Sequence, residues 1–232
     1  MASVKLFGAP TSTEVARVLA CLFEKEIDFQ LIRIDTFKGI QRQPDFLKLQ
    51  PTGQALTFEH GDKTLVDSRE IIRYVAKKFP NKKNLAGRGM LEMASIEQWL
   101  QTDERSFDPP SSFLVFHLAF APALGLMPAE EKEISKKEED LKRVLDIYEQ
   151  QLRETDYLAG DEFSLADLSH LPNAHYLMGT RCASLFNSRK KVKKWWDKIS
   201  GRDAWKKVLA MQQDPSTAAN LPPAAATAAG GD

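Results

Sequence analysis

Apolar and polar positions along the first eighty residues switch between two periods. Residues 3–7 alternate and predict a short strand ending at Gly8. Val15, Val18, Leu19 and Leu22 then recur at helical spacing. Thr11-Ser12-Thr13-Glu14 has the hydroxyl-x-x-glutamate form of a capping box, which starts the helix almost at Ser12. Residues 29–34 read as a second strand, and a short polar helix is expected over 44–49. Residues 55–58 and 64–66 predict a hairpin around His60-Gly61-Asp62. Asp67-Ser68 then caps a helix carrying Ile71, Ile72 and Val75. The order, βαβ followed by αββα, is the layout of a thioredoxin-like domain, although periodicity alone does not separate it from other small α/β domains.

Past residue 79 the pattern changes. Residues 79–89 are rich in Lys, Asn, Gly and Pro and read as a linker, and everything beyond is helical in pattern. The expected division is 1–79, a linker at 80–90, a helical domain at 91–213 and a tail at 214–232. The long helix from residue 91 is expected to bend at Pro109-Pro110. Residues 130–152 form an amphipathic helix with Leu141, Val144, Leu145 and Tyr148 on one stripe. Ser164-Leu165-Ala166-Asp167 opens a helix that residues 169–178 continue through Pro172, and residues 189–200 and 202–212 complete the bundle. The tail lacks large apolar residues after Leu221, a composition expected to stay disordered.

Composition narrows the function. Of 232 residues 43% are hydrophobic, so a sizeable core can be buried. Lys plus Arg and Asp plus Glu both number 32, and the zero net charge argues against a general nucleic-acid binder. The run Arg189–Lys194 reads as one solvated helix face beside Trp195-Trp196. Two cysteines, Cys21 and Cys182, argue against a disulfide framework. His117, His170 and His175 lack metal-ligand spacing, so no metal is expected. Neither a secretory signal nor a membrane span is read anywhere, which makes the cytoplasm the expected location.

Ser12 is the first chemical candidate. It lies just after a strand, at the first turn of a helix, where a hydroxyl, unpaired backbone N–H groups and the positive end of the helix dipole converge. A thiol of ordinary pKa is only roughly 3% ionised at pH 7, and lowering that pKa by about two units makes it roughly three-quarters thiolate, the reactive form. The alternative is an ordinary helix cap. Asp67 and Ser68 face the same two readings at the second helix, with Asp67 suited to an amine and Ser68 to a carboxylate. Lys38 and Arg42 could clamp a carboxylate or simply be solvated, and Gln54 opens a strand that could face a peptide ligand.

Lys5-Leu6-Phe7-Gly8-Ala9-Pro10-Thr11-Ser12, with Arg17-Val18-Leu19 and Glu24-Lys25, resembles the opening of phi-class glutathione transferases of plants. Leu49-Gln50-Pro51-Thr52-Gly53-Gln54, Gly61-Asp62 with Leu65–Arg69, Tyr157–Asp161 with Phe163–His170, Lys194-Trp195-Trp196 and Arg202–Trp205 resemble later segments of that family, in order. The resemblance implies an α+β chain: a thioredoxin-like N-terminal domain that binds glutathione, an all-helical second domain, and a homodimer. It implies that Ser12 donates to the glutathione sulfur, that Gln54 and Ala55 meet its backbone, that Asp67 and Ser68 hold its γ-glutamyl end, and that Gln41 and Arg42 lie near its glycyl carboxylate. A hydrophobic electrophile would sit between the domains against Thr11, Thr13, Thr36, Phe116, Phe120 and Ala123. Conjugation or hydroperoxide reduction would follow, with no metal, in detoxification or stress metabolism; the alternative is a carrier of flavonoid-like compounds. The chain departs from the family at Leu56, where the family has a cis proline, and at Gln41, Thr52 and Asp67, where it has His, Phe and Glu.

Overall fold

The computed structural model describes residues 3–34, 56–80 and 82–213. Strand β1 (Val4–Phe7) is central in a four-stranded sheet of order β2-β1-β3-β4. It pairs in parallel with β2 (Phe29–Ile32) and antiparallel with β3 (Thr57–His60), which pairs antiparallel with β4 (Lys63–Leu65). A parallel pair needs a long crossover, and α1 (Thr13–Glu24) supplies it. The β3–β4 hairpin turns at Gly61-Asp62, with Gly61 at φ 63, a conformation that glycine adopts without steric cost. Strand β2 stops at Ile32, two residues short of the expected end. β1 ends opposite it at Phe7, and the Gly8 N–H closes the ladder on the Ile32 carbonyl at 2.9 Å.

Leu6, Phe58 and the apolar faces of α1 and α2 (Ser68–Lys78) form the core of this unit: Val15, Val18, Leu19 and Leu22 meet Ile71, Ile72 and Val75. Each large side chain buried there contributes about 1.5–3 kcal/mol. Phe7, Ile32 and Ile34 form a separate cluster, as the alternation of side chains along a strand requires.

The helical part begins with α3 (Met90–Thr102). It runs through a π-helical turn (Asp103–Phe107) into α4 (Asp108–Val115), through a second π turn (Phe116–Phe120) into the single turn α5 (Ala121–Ala123). The two prolines therefore sit in the first turn of α4, where missing N–H groups are tolerated, and the ladder irregularity lies just before them. The amphipathic helix is α6 (Glu131–Glu154), with Leu141, Val144, Leu145 and Tyr148 all buried. The helix expected to run on through Pro172 is instead two: α7 (Leu165–Leu168) and α8 (Leu171–Met178). Pro172 has no N–H for the Leu168 carbonyl, so the ladder restarts. Helices α9 (Ala183–Asn187), α10 (Lys190–Ser200) and α11 (Asp203–Gln213) follow. In α10, Val192, Trp195, Trp196 and Ile199 are buried while Lys193 pairs with Asp197. The mixed sheet plus helical bundle is the α+β architecture expected.

Two buried carboxylates tie segments together, Asp167 within the helical part and Glu24 between it and α1. Asp167 caps α7: its Oδ2 accepts from the Ser164 N–H at 3.1 Å, and its Oδ1 accepts from Leu158 N–H at 3.0 Å and Trp195 Nε1 at 2.9 Å. Glu24, at the end of α1, accepts from Arg202 of the helical part and pairs with Lys83 at 2.8 Å. Burial alone would raise the Glu24 carboxyl, and the hydrogen bonds from Arg202 and Lys83 more than reverse this.

Candidate active site

The chain leaves β1 at Phe7, turns, and enters α1 with Ser12 as N-cap. The Ser12 N–H bonds the Ala9 carbonyl and its own carbonyl receives the Ala16 N–H, both at 2.9 Å. Its side chain makes no capping hydrogen bond. The expected capping box is thus out by one residue. With Ser12 as cap, the third helical position is Val15, and Glu14 cannot reach back in that role. The half-buried Ser12 opens instead on a cleft of roughly 600 Å³.

Thr11, Thr13, Phe120 and Ala123 line this cleft with Ser12, as do Ala9, Glu14 and Leu124. Tyr176 closes one side, its ring edge-on to Phe120 at 4.7 Å and its hydroxyl donating to the Thr11 carbonyl at 2.7 Å. Phe116 is not among the lining residues and is 43% exposed. The segment Phe116–Phe120 is wound as a π turn, so residues four apart no longer stack as α-helical spacing assumes.

Beneath the cleft lies a buried charge network. Arg17, 2% exposed, donates to Ser68 Oγ at 2.7 Å and to the Ser169 carbonyl at 3.2 Å, and lies 3.8 Å from Asp108. Arg69 donates to Asp103 through Nε and Nη2, at 3.0 and 2.7 Å, and reaches Asp108 at 3.3 Å. Two cations thus face two carboxylates, the condition under which buried charges are tolerated. Burial would raise the Asp103 carboxyl, but it is held below its ordinary value, with His170, Arg69 and Arg17 facing it. His170 is held neutral by burial, its Nδ1 donating to the Ala166 carbonyl and its Nε2 accepting from Tyr148. Glu14, at the cleft, has its carboxyl raised by burial, with Arg17 opposing.

Asp67 is the N-cap of α2, its Oδ1 accepting from the Arg69 and Glu70 N–H groups at 2.9 Å. Ser68 is buried and accepts from Arg17, which leaves its own O–H to donate. Neither is among the residues lining the cleft, although Arg69 beside them is. Thr36, Gln41, Arg42, Gln54 and Ala55, together with Lys38 and the helix expected at 44–49, lie outside the described residues.

Family models for the glutathione S-transferase N-terminal domain and C-terminal domain match residues 2–77 and 110–203. Glutathione S-transferase F10 of Arabidopsis thaliana is 44% identical over 209 residues, covering 89% of this chain and 97% of that protein. The chain belongs to the plant phi-class glutathione transferases. The crystal structure of poplar glutathione transferase F1 is 49% identical with a TM-score of 0.86, over 91% of this chain and 99% of that one. A maize glutathione S-transferase I solved with an atrazine glutathione conjugate is 30% identical with a TM-score of 0.83, over 92% and 100%. The protein is accordingly a transferase, of a family whose substrate is glutathione.

Sequence reading of this transferase's cleft missed Tyr176, Glu14 and Asp108. It met Arg17 and Arg69 only inside family motifs. Arg17 carried a signal: from Val15 to Phe23 it is the one charged residue in an otherwise apolar helical run. A cation on a buried face implies buried partners.

Proposed function

We propose that Ser12 donates a hydrogen bond to the sulfur of bound glutathione and holds it as thiolate. The observation that carries this is the unengaged capping hydroxyl: Ser12 begins α1, makes no side-chain cap bond and opens on the cleft. The unpaired N–H groups and dipole of a twelve-residue helix stabilise an anion there as well. The thiol proton leaves to solvent. The sulfur then attacks an electrophilic carbon, a C–S bond forms, and the leaving group departs with its electron pair. With a hydroperoxide the sulfur attacks the terminal oxygen, the O–O bond breaks to release the alcohol and leave a sulfenic acid, and a second glutathione displaces water from it to form the disulfide. The electrophile would rest against Thr11, Thr13, Phe120 and Ala123, with Thr36 joining them. The γ-glutamyl end belongs with Asp67 and Ser68, and Gln41, Arg42, Gln54 and Ala55 take the rest of the tripeptide. The conjugate bound by the maize relative supports an aromatic electrophile of that kind.

The deciding experiment is Ser12→Ala with two readouts: conjugation rate, and thiolate absorbance of the glutathione-saturated protein against pH. A raised thiol pKa and slower turnover are expected. Unchanged values would remove Ser12 from the mechanism.

Three readings accompany this one. A homodimer is supported by Met90 and Leu91, 89% and 87% exposed at the start of α3, and sedimentation at micromolar concentration tests it. A cytoplasmic detoxification role fits two cysteines that are free and buried, and is tested by fractionating the source tissue. A flavonoid-like ligand carrier is the second functional reading, favoured by the apolar wall of Phe120, Ala123 and Leu124. Tryptophan quenching by such ligands without glutathione-dependent turnover would decide for it.

A further inference from the structure

We propose that Tyr176 and Gln212, two side chains of the helical part, are positioning residues that set the direction of the Ser12 hydroxyl through the turn before it. The proposal rests on the role given to Ser12 above.

The turn has four carbonyls, each with a partner. The Ala9 oxygen accepts the Ser12 N–H, and the Ser12 oxygen accepts the Ala16 N–H, both at 2.9 Å. The two between them look outward. The Pro10 oxygen accepts from Gln212 Nε2 at 2.8 Å and the Thr11 oxygen from the Tyr176 hydroxyl at 2.7 Å. These partners are 202 and 165 residues away along the chain.

Ser12 makes no side-chain cap bond, so what the fold fixes there is the position of its backbone and the direction of its Cα–Cβ bond. Rotating either peptide plane before Ser12 swings its Cα–Cβ bond and breaks one of these two hydrogen bonds. Misplacing a reacting group by about 1 Å costs on the order of 100-fold in rate. The strap is itself anchored: Arg33, just past β2, donates to the Met211 carbonyl at 2.6 Å, tying the end of α11 back to the sheet.

Tyr176 also lines the cleft against Phe120. One side chain thus touches both the wall for the electrophile and the turn that aims the thiolate donor. Burial pushes its phenol up to about 12, so it keeps its donating proton throughout the working range.

Tyr176→Phe keeps the ring and removes the donor. Gln212→Leu removes the other donor, and Gln212→Lys restores one. With the full chain saturated in glutathione, thiolate absorbance against pH gives the apparent thiol pKa, and steady-state kinetics with 1-chloro-2,4-dinitrobenzene separate kcat from KM. Tyr176→Phe is expected to raise the thiol pKa by about half to one unit and to lower kcat about threefold to tenfold, the range of a single lost hydrogen bond. The electrophile KM stays within about twofold, because the ring is retained. Gln212→Leu moves the same quantities less, and Gln212→Lys returns them toward wild type. If Tyr176→Phe changes only the electrophile KM, or if both Phe and Leu variants leave the thiol pKa in place while Ser12→Ala raises it, the strap is overturned and the Ser12 role stands. If Ser12→Ala leaves the thiol pKa in place, the Ser12 role falls and the strap with it. Should Tyr176→Phe not fold, the Leu and Lys variants at Gln212 decide between the same outcomes.

Discussion

Ser12 and Ser164 are both helix N-caps and are used in opposite ways. Ser164, buried at the start of α7, accepts from the Ala166 N–H at 3.3 Å, and Asp167 three residues on returns a bond to the Ser164 N–H at 3.1 Å. Ser12 begins α1 with no such return, because the corresponding third position is Val15. One capping hydroxyl is closed on its own helix, and the other is left open on the cleft. A closed cap adds stability; an open one keeps a donor and a dipole available at a cleft.

The largest effect is expected where the closed cap is most deeply tied. Asp167→Ala leaves the Leu158 N–H, the Ser164 N–H and the Trp195 indole N–H without their acceptor, and should cost about 3–5 kcal/mol in urea unfolding. The comparison sharpens at the open cap: Ser12→Ala should lower kcat roughly 10-fold to 100-fold, the scale of a hydrogen bond to a charge, with unfolding stability within about 0.5 kcal/mol of wild type. Ser164→Ala should do the reverse, losing about 1 kcal/mol of stability with kcat unchanged. Equal stability losses in the two alanine variants would break the comparison.

The smallest effect concerns pH. Because the folded-state pKa of Glu24 is held below its unfolded value, its contribution is fully present above about pH 4.3 and is lost as pH falls through the lower folded value. The stability gap between wild type and Glu24→Gln should therefore narrow from pH 5 to pH 3 in urea melts. A constant gap would mean that the ion pairs contribute no linkage.

Much of this was readable from local pattern. Strands, the hairpin at Gly61, the α6 stripe and both carboxylate caps follow from periodicity and capping chemistry, which act over three or four residues. Ser12 was legible for the same reason, while its cap was misplaced by one position because a capping box is decided by the neighbour three residues on. Phe116, placed at the electrophile by the resemblance alone, lies in a π turn and is not among the residues lining the cleft. Tyr176 and Asp108 could not be found locally. They reach the cleft from segments about a hundred or more residues from Ser12, and only the packing of the two parts brings them there.

Helix α1 hands its two buried charges to segments from beyond the sheet. Arg17 meets Asp108 and the Ser169 carbonyl, and Glu24 meets Lys83 and Arg202. Cutting the chain after α2 would leave Glu24 without Lys83 and Arg202, and Arg17 with Ser68 but without Asp108 and the Ser169 carbonyl. The halves are thus expected to melt together, in one cooperative calorimetric transition, and neither is a module that could be borrowed without the other.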